Sequence, residues 1–429
     1  MNAAFPAEAL GRAVAATRGL VDGLFNTLRE ATPGHPGITR PPYGEGEEFA
    51  HRLLADRARE LGLEVRQDAA LNTYVTLPGR DRAARALMTG SHLDSVPQGG
   101  NFDGAAGVVA GLAALVAIRE AVGVPPQDLT VMAIRAEESV WFQVSYIGSR
   151  SAFGILPEGV LDSAKRIDSG RSLAEHMAEL GADVDALRRG QRYLDPARIG
   201  GFVELHIEQA PSLLEAGVPL GIATAVPGNF RYPDITISGE QAHVGLPRRF
   251  RHDAALAGAD FATALDRIWA DHEGRGIAMA ATIGRFHTDA AIHGMTSVPG
   301  RFLMSLDVRA YDAAVLAALE KSVLALVPGI EAARGVRFDL GARASAPVGP
   351  AAPAIQAALG RHADAGGIAW QKLGSPASHD AATFAALEVP MGMIFVRNRN
   401  GSHNPDEAME VDDLMHGIAV LAAWMADAP

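Results

Sequence analysis

Apolar and polar positions along the chain fall into two successive styles. Over residues 8–30 and 46–61 apolar positions follow helical spacing, and the turn-rich stretch TPGHPGITRPPYGEG separates the two helices. Short apolar strands then alternate with helices. The strands are 85–89 (RALMT), Leu129–Ile134 (LTVMAI), 202–205 (FVEL) and, much later, Met391–Val396 (MGMIFV). A helix is expected over about 104–122, and another over 411–426 closes the chain. This alternation predicts an α/β layer around a mostly parallel sheet.

The stretch from about 217 to 345 has a different order. It reads strand (232–238), helix (252–270), strand (277–288), strand (301–309), helix (312–327), strand (335–342). That is a βαββαβ, ferredoxin-like unit set between two pieces of α/β pattern. The expected organisation is therefore a catalytic domain over 1–216 and 346–429, interrupted by an inserted domain over 217–345. GARASAPVGPAAP (341–353) reads as the connecting linker.

Composition narrows the chemistry. With 48% hydrophobic and 21% charged residues the chain is an ordinary globular protein, and 429 residues suffice for more than one domain. It has no cysteine, which removes disulfides, thiol nucleophiles and cysteine-held metals. Any metal must therefore rest on histidines and carboxylates. A net charge of −12 argues against nucleic acid or an anionic membrane as the main partner. The N-terminal twenty residues lack the basic and apolar regions of a signal peptide and read as an amphipathic helix, so a cytoplasmic location is expected. The longest apolar run, 104–118, is too short to span a bilayer.

Candidate donors cluster just past the predicted strands: His92 and Asp94 after RALMT, Glu137 and Glu138 after LTVMAI, His206 after FVEL, and His403 after MGMIFV. Asp103 opens the helix that follows the first loop. Ligands gather at the carboxyl edge of open α/β sheets, so these segments are expected to converge. Such an imidazole–carboxylate set suits two divalent ions roughly 3.5–4 Å apart, bridged by one carboxylate. Taken singly, each has a plainer role: Asp103 as a helix N-cap, Glu137-Glu138 as a solvated strand end, His206 as a half-buried strand histidine. No GxSxG, Walker A or HExxH motif occurs, and GGNFDG is not a dinucleotide-binding loop, which argues against serine hydrolases, NTPases and dehydrogenases.

GSHLDSVPQGGNFDGAAGV, AEES, ELHIEQAP and GSHNPDE together resemble the dinuclear M20-type metal amidohydrolases. The likeness is to the branch of N-carbamoyl-L-amino-acid hydrolases, β-ureidopropionases and allantoate amidohydrolases, and it extends over nearly the whole chain. It implies a homodimer, formed through an inserted lid, that hydrolyses small amide or ureido acids with two divalent ions (zinc or manganese, with cobalt or nickel possible). By the same resemblance Asp103 bridges the ions, His92 and His206 complete one site, and Glu138 and His403 the other. Glu137 is then the general base toward water, Asp94 orients His92, and Gln209 contacts substrate. From the lid, His243 (GEQAHVGLP) stabilises the oxyanion in the partner subunit's site, and Arg309 (SLDVR) grips the substrate carboxylate.

Recognition positions depart from the family pattern. The usual NxVPG reads Thr296-Ser297-Val298-Pro299-Gly300, and SGAGHDA reads Ser375-Pro376-Ala377-Ser378-His379-Asp380-Ala381. Ser139-Val140-Trp141-Phe142 and Gly245-Leu246-Pro247-Arg248-Arg249 also differ. Thr296 and Ser378 are accordingly the expected altered substrate contacts. The arginines 248, 249, 251, 397 and 399 offer positive charge to an extra anionic group, against a plainer role as solvated surface. The expected reaction is hydrolysis of an N-carbamoyl-L-amino acid. Allantoate or another ureide, or an N-acyl-L-amino acid, are the alternatives, and a non-catalytic metal-binding homologue is the remote one.

Overall fold

A computed structural model describes residues 7–427. The described chain forms two compact units: residues 7–226 with 351–427, and residues 227–350.

The first unit is built on an eight-stranded mixed sheet. Its centre is parallel: Leu129–Ile134, Ala86–His92, Ile199–Ile207 and Met391–Val396 lie side by side in that order. These strands are buried almost end to end, which is why they read as continuous apolar runs. Antiparallel strands extend both sides, with Thr73–Leu77 and Glu64–Gln67 on one and Leu220–Ala223 on the other. Trp370–Leu373 ends the sheet, parallel to Leu220–Ala223. Leu220–Ala223 is wholly buried in this sheet, so the first unit continues past residue 216, where the sequence pattern suggested a boundary.

Helix Ala105–Val122 packs across the central strands, with Ala7–Ala16 and Val411–Asp427 against it. It is long and apolar enough to cross a membrane by composition, but most of its residues are buried in this core. Small residues bring helix and sheet close: a Cβ on Gly107 would lie 2.1 Å from the Leu205 carbonyl oxygen. The N-terminal helix expected over 8–30 is two helices, Ala7–Ala16 and Arg18–Ala31.

The second unit has the strand order Met279–Thr282, Arg301–Ala310, Gly228–Ser238, Arg337–Asp339, all antiparallel. With helix Ala254–Gly274 after the first strand and Ala313–Leu324 and Leu326–Arg334 after the third, this is a βαββαβ chain path. The strand expected over 277–288 is two pieces, Met279–Thr282 and Phe286–Thr288, both paired to Arg301–Ala310. The break faces a register shift between Met304 and Leu306, where the Arg285 amide bonds the Ser305 hydroxyl instead. The apolar stretch Ala313–Arg334 also has membrane-spanning length and composition; it is divided at Ala325 and buries Leu319 and Val323 against its own sheet.

Candidate metal centre

The four parallel strands deliver the predicted donors to one edge. His92 is the last residue of its strand, His206 the penultimate residue of Ile199–Ile207, and Glu137 and Glu138 follow Leu129–Ile134 after a turn at Arg135-Ala136. His403 lies in the loop beyond Met391–Val396, and Asp103 precedes helix Ala105–Val122. Asp103 does not cap that helix: the N-cap is Gly104, with φ +65°, and no side chain caps it. Glycine is required there twice over, since a Cβ would also fall 2.5 Å from the His92 ring.

Asp103 is the hub. His206 Nε2 and His92 Nε2 lie 3.1 and 3.5 Å from its Oδ1. That oxygen is buried yet takes part in no hydrogen bond, so three donor atoms face a common point without satisfying one another. Its Oδ2 lies 3.3 Å from His403 Nε2, which is also 3.1 Å from Glu138 Oε1. His92, Asp103 and His206 form one group of donor atoms all within 4.8 Å, and Asp103, Glu138 and His403 a second; His92, Glu137 and Glu138 form a third. The set is buried except at His403, which is exposed; imidazoles and carboxylates around an unbonded oxygen are the donor chemistry of a divalent ion, and these residues fit one.

The charges tell the same story. Burial opposes ionisation of Asp103, but the three imidazoles outweigh it and hold the carboxyl well below its usual range. Burial likewise disfavours charge on His92, yet Asp103 and Asp94 raise it well above the ordinary imidazole value. Asp103, then Glu138, lifts His403 to about 11. The carboxylates thus favour positive charge at this point, the same electrostatics that favours a bound cation. Glu137 differs: burial pushes it well above the carboxylate range, and the charge of His92 offsets this only in part.

Asp94 ties the site together. Its carboxylate lies 3.3 Å from His92 Nδ1 and accepts the backbone amides of Glu137 (3.1 Å) and Glu138 (3.0 Å). Behind it, buried Arg135 pairs with Glu47 and Glu48, while Glu47 accepts the Ala136 amide at 2.8 Å. Ala136, Gln209 and His403 all adopt left-handed backbone (φ 53°, 63° and 60°). Such non-glycine conformations cost of the order of 1 kcal/mol or more each and persist where surroundings enforce them. Gln209 donates its amide to Asp103 Oδ2 at 3.0 Å, while its Oε1 has no partner.

Sequence reasoning passed over several buried neighbours. Glu204 accepts Ser91 Oγ (2.8 Å) and the Ala381 amide (2.9 Å), and it stands two residues before His206 on the same strand face. That i, i+2 spacing was a usable signal. His379 packs its ring 4.3 Å from that of His206, and burial, then the charge of His206, keeps it well below the usual imidazole value. Asp380 accepts Ser149 Oγ at 2.5 Å, and burial raises it to about 8. Ser378 is half-buried and bonds the Tyr146 hydroxyl, near Glu137.

Among the five arginines, Arg397 is paired with Asp413 and Arg399 with Glu410. Arg251 bonds the carbonyls of Leu246 and Val244, and Arg249 covers the Phe250 ring. These four serve local structure. The remaining predicted residues belong to the second unit. His243 pairs with Ser297 across a two-stranded ribbon, exposed, beside exposed Thr296. Arg309 is half-buried and shares Asp307 with Arg231.

An α/β sheet whose carboxyl edge gathers buried imidazoles and carboxylates around one aspartate, with a further glutamate beside them, defines a metal-dependent hydrolase. The chain belongs to peptidase family M20/M25/M40, whose sequence model matches residues 88–427. It is 34% identical over 388 residues to an N-carbamoyl-L-amino acid amidohydrolase of Geobacillus stearothermophilus, covering 90% of this chain and 92% of that protein. It is 30% identical over 389 residues to an allantoate amidohydrolase of Bacillus subtilis, covering 90% and 91%. The crystal structure of a hydantoinase/carbamoylase family amidase from Burkholderia multivorans matches with a TM-score of 0.82 at 28% identity, covering 95% of this chain and 97% of that one.

Proposed function

We propose that the protein hydrolyses the ureido C–N bond of N-carbamoyl-L-amino acids, consuming one water and releasing the amino acid, ammonia and carbon dioxide. The observation that carries this reading is the complete donor set around Asp103 with Glu137 left over beside it; the carbamoyl amidohydrolase relative supplies the substrate class. In this reading His92, Asp103 and His206 would hold one divalent ion, and Asp103, Glu138 and His403 would hold a second. Zinc or manganese suits these donors, with cobalt or nickel as alternatives. When bound, the ions polarise the scissile carbonyl and ease the loss of a proton from water.

The chain does the rest. Glu137 takes the proton of the attacking water and returns it to the leaving nitrogen; burial raises it well above the ordinary carboxylate range, which makes it a stronger base. Asp94 keeps the backbone of Glu137 and Glu138 in register with the His92 ring. Gln209 presents its unpaired carbonyl oxygen to the substrate amide. The inserted unit acts as a lid and pairs two copies. His243 accepts the Gly245 amide on Nδ1 (3.1 Å), which leaves the proton on Nε2, a donor for the tetrahedral oxyanion. Arg309 binds the substrate carboxylate. Thr296 and Ser378 set which acids are accepted.

A second reading, allantoate or another ureide, is favoured by the relative from Bacillus subtilis. The metal-loaded protein incubated with a panel of ureido and N-acyl amino acids, with ammonia and free amine both assayed, separates them. N-carbamoyl-L-amino acids should give both products and their D forms neither. Preference for allantoate installs the second reading, and amine without ammonia from N-acyl substrates contradicts both.

A further inference from the structure

The segment that carries His403 reaches Asp103 by a second route. Ser402 Oγ lies 2.5 Å from Asp103 Oδ2 and 2.6 Å from Glu407 Oε2. Glu407 is buried, and its other oxygen accepts the backbone amides of Phe102 (2.8 Å) and Asp103 (3.2 Å). Room for it is made by Gly100, where a Cβ would fall 2.0 Å from the Glu407 carboxyl carbon. Asn404 Nδ2 bonds the carbonyls of Ser402 and Asn400, which stiffens the same loop. The loop before helix Ala105–Val122 and the loop after Met391–Val396 are thus tied to one another through a glutamate and a serine.

The consequence lies in the orientation of Asp103. An aspartate carboxylate rotates readily about its last torsion, so a buried one must be aimed by its partners. Oδ2 is held by Ser402 Oγ and Gln209 Nε2, and this fixes the carboxylate plane with Oδ1 turned, unbonded, toward His92 and His206. We propose that Ser402 and Glu407 are positioning residues for metal binding: Glu407 clamps the backbone of Asp103 through the Phe102 and Asp103 amides, and the Ser402 hydroxyl, donated to Asp103 Oδ2, sets the carboxylate between its two groups of donors. The proposal rests on Asp103 being a shared ligand. Hydrogen bonds of this kind to a metal ligand are typically worth about 10–100-fold in metal affinity.

Zinc ions alone, titrated into metal-stripped protein against a chromophoric chelator, test this. Ser402→Ala should weaken at least one bound ion ~10–100-fold, while Ser402→Thr, which keeps the hydroxyl, stays within about threefold of the parent. The thermal midpoint of the stripped Ser402→Ala protein should match that of the stripped parent. Affinity in Ser402→Ala within about twofold of the parent overturns the brace, as does an equal loss in Ser402→Thr. A shifted midpoint in the stripped alanine variant also overturns it, since the serine would then be structural. A parent that takes up no zinc fails differently: it removes the metal centre itself, and the brace with it.

Discussion

The two units hold their candidate residues in opposite ways. In the first, His92, Asp94, Asp103, Glu138 and His206 are buried, with His403 the exposed member of the donor set, and Asp94 and Asp103 each engage several partners drawn from distant chain segments. In the second, His243 and Thr296 are exposed and Arg309 is half-buried, each engaged by residues of its own ribbon or sheet. A buried charge must be paired and aimed or it destabilises the fold, so folding itself builds the donor cluster. Exposed residues carry no such constraint. None of the departures from the family pattern falls on a donor or on Glu137. On the proposed reading, the metal ligands and the base are held by one unit's sheet edge, whereas His243, Thr296 and Arg309 stand on the other unit with fewer constraints.

The strongest way to break this contrast is to change one buried residue without changing metal binding. Glu137→Gln should lower kcat by about 10²–10⁴-fold with metal content per chain unaltered, since the amide cannot accept a proton. Retained activity would remove Glu137 from the base role. His243→Ala, in the exposed set, should cost about 10²–10³-fold in kcat, leave metal content and thermal midpoint alone, and be partly restored by mixing with Glu137→Gln chains if the histidine acts in the partner's site. A fully active monomer would contradict that arrangement.

Asp94→Asn keeps the shape but offers one oxygen where two amides and an imidazole now converge. Metal affinity should fall by about 10–100-fold, and the fold should lose roughly 1–3 kcal/mol, measured by denaturant unfolding of the stripped protein. If affinity holds while stability falls, Asp94 is structural alone.

The smallest effect concerns pH. His51 is buried with Nδ1 3.0 Å from Thr73 Oγ1, and burial, then the charge of Arg135, keeps it well below the usual imidazole value. It is neutral when folded but takes up a proton when unfolded below about pH 6.5. The unfolded chain then binds more protons, so stability present above that pH is lost as pH falls, by at most about 1.4 kcal/mol per unit. His51→Gln should flatten the fall between pH 7 and 5; an unchanged slope assigns the acid sensitivity elsewhere.

Legibility in the sequence followed the same division. Central strands such as LTVMAI and MGMIFV declared themselves because burial on both faces leaves no polar position, and donors just past their ends were placed by topology alone. Thr73–Leu77 and Glu64–Gln67, toward the sheet margin, carry mixed patterns and were missed. Leu220–Ala223 adjoins the insertion, and four residues hold no sign of which sheet they join. The helix expected over 312–327 ends at Leu324, and a second helix, Leu326–Arg334, carries Pro328 in its first turn, where proline forfeits no intrahelical bond. At the site, Ser402 and Glu407 were hidden because their partners lie in remote segments, whereas Glu204 was signalled by its spacing from His206.

The most direct test is ammonia release from an N-carbamoyl-L-amino acid by metal-stripped protein as zinc or manganese is added back. The account predicts negligible release from the stripped protein and recovery that rises with bound metal, reaching its plateau at two ions per chain, with free amino acid formed in equal amount. Release that persists after complete stripping, or metal-loaded protein that yields no ammonia, would contradict it.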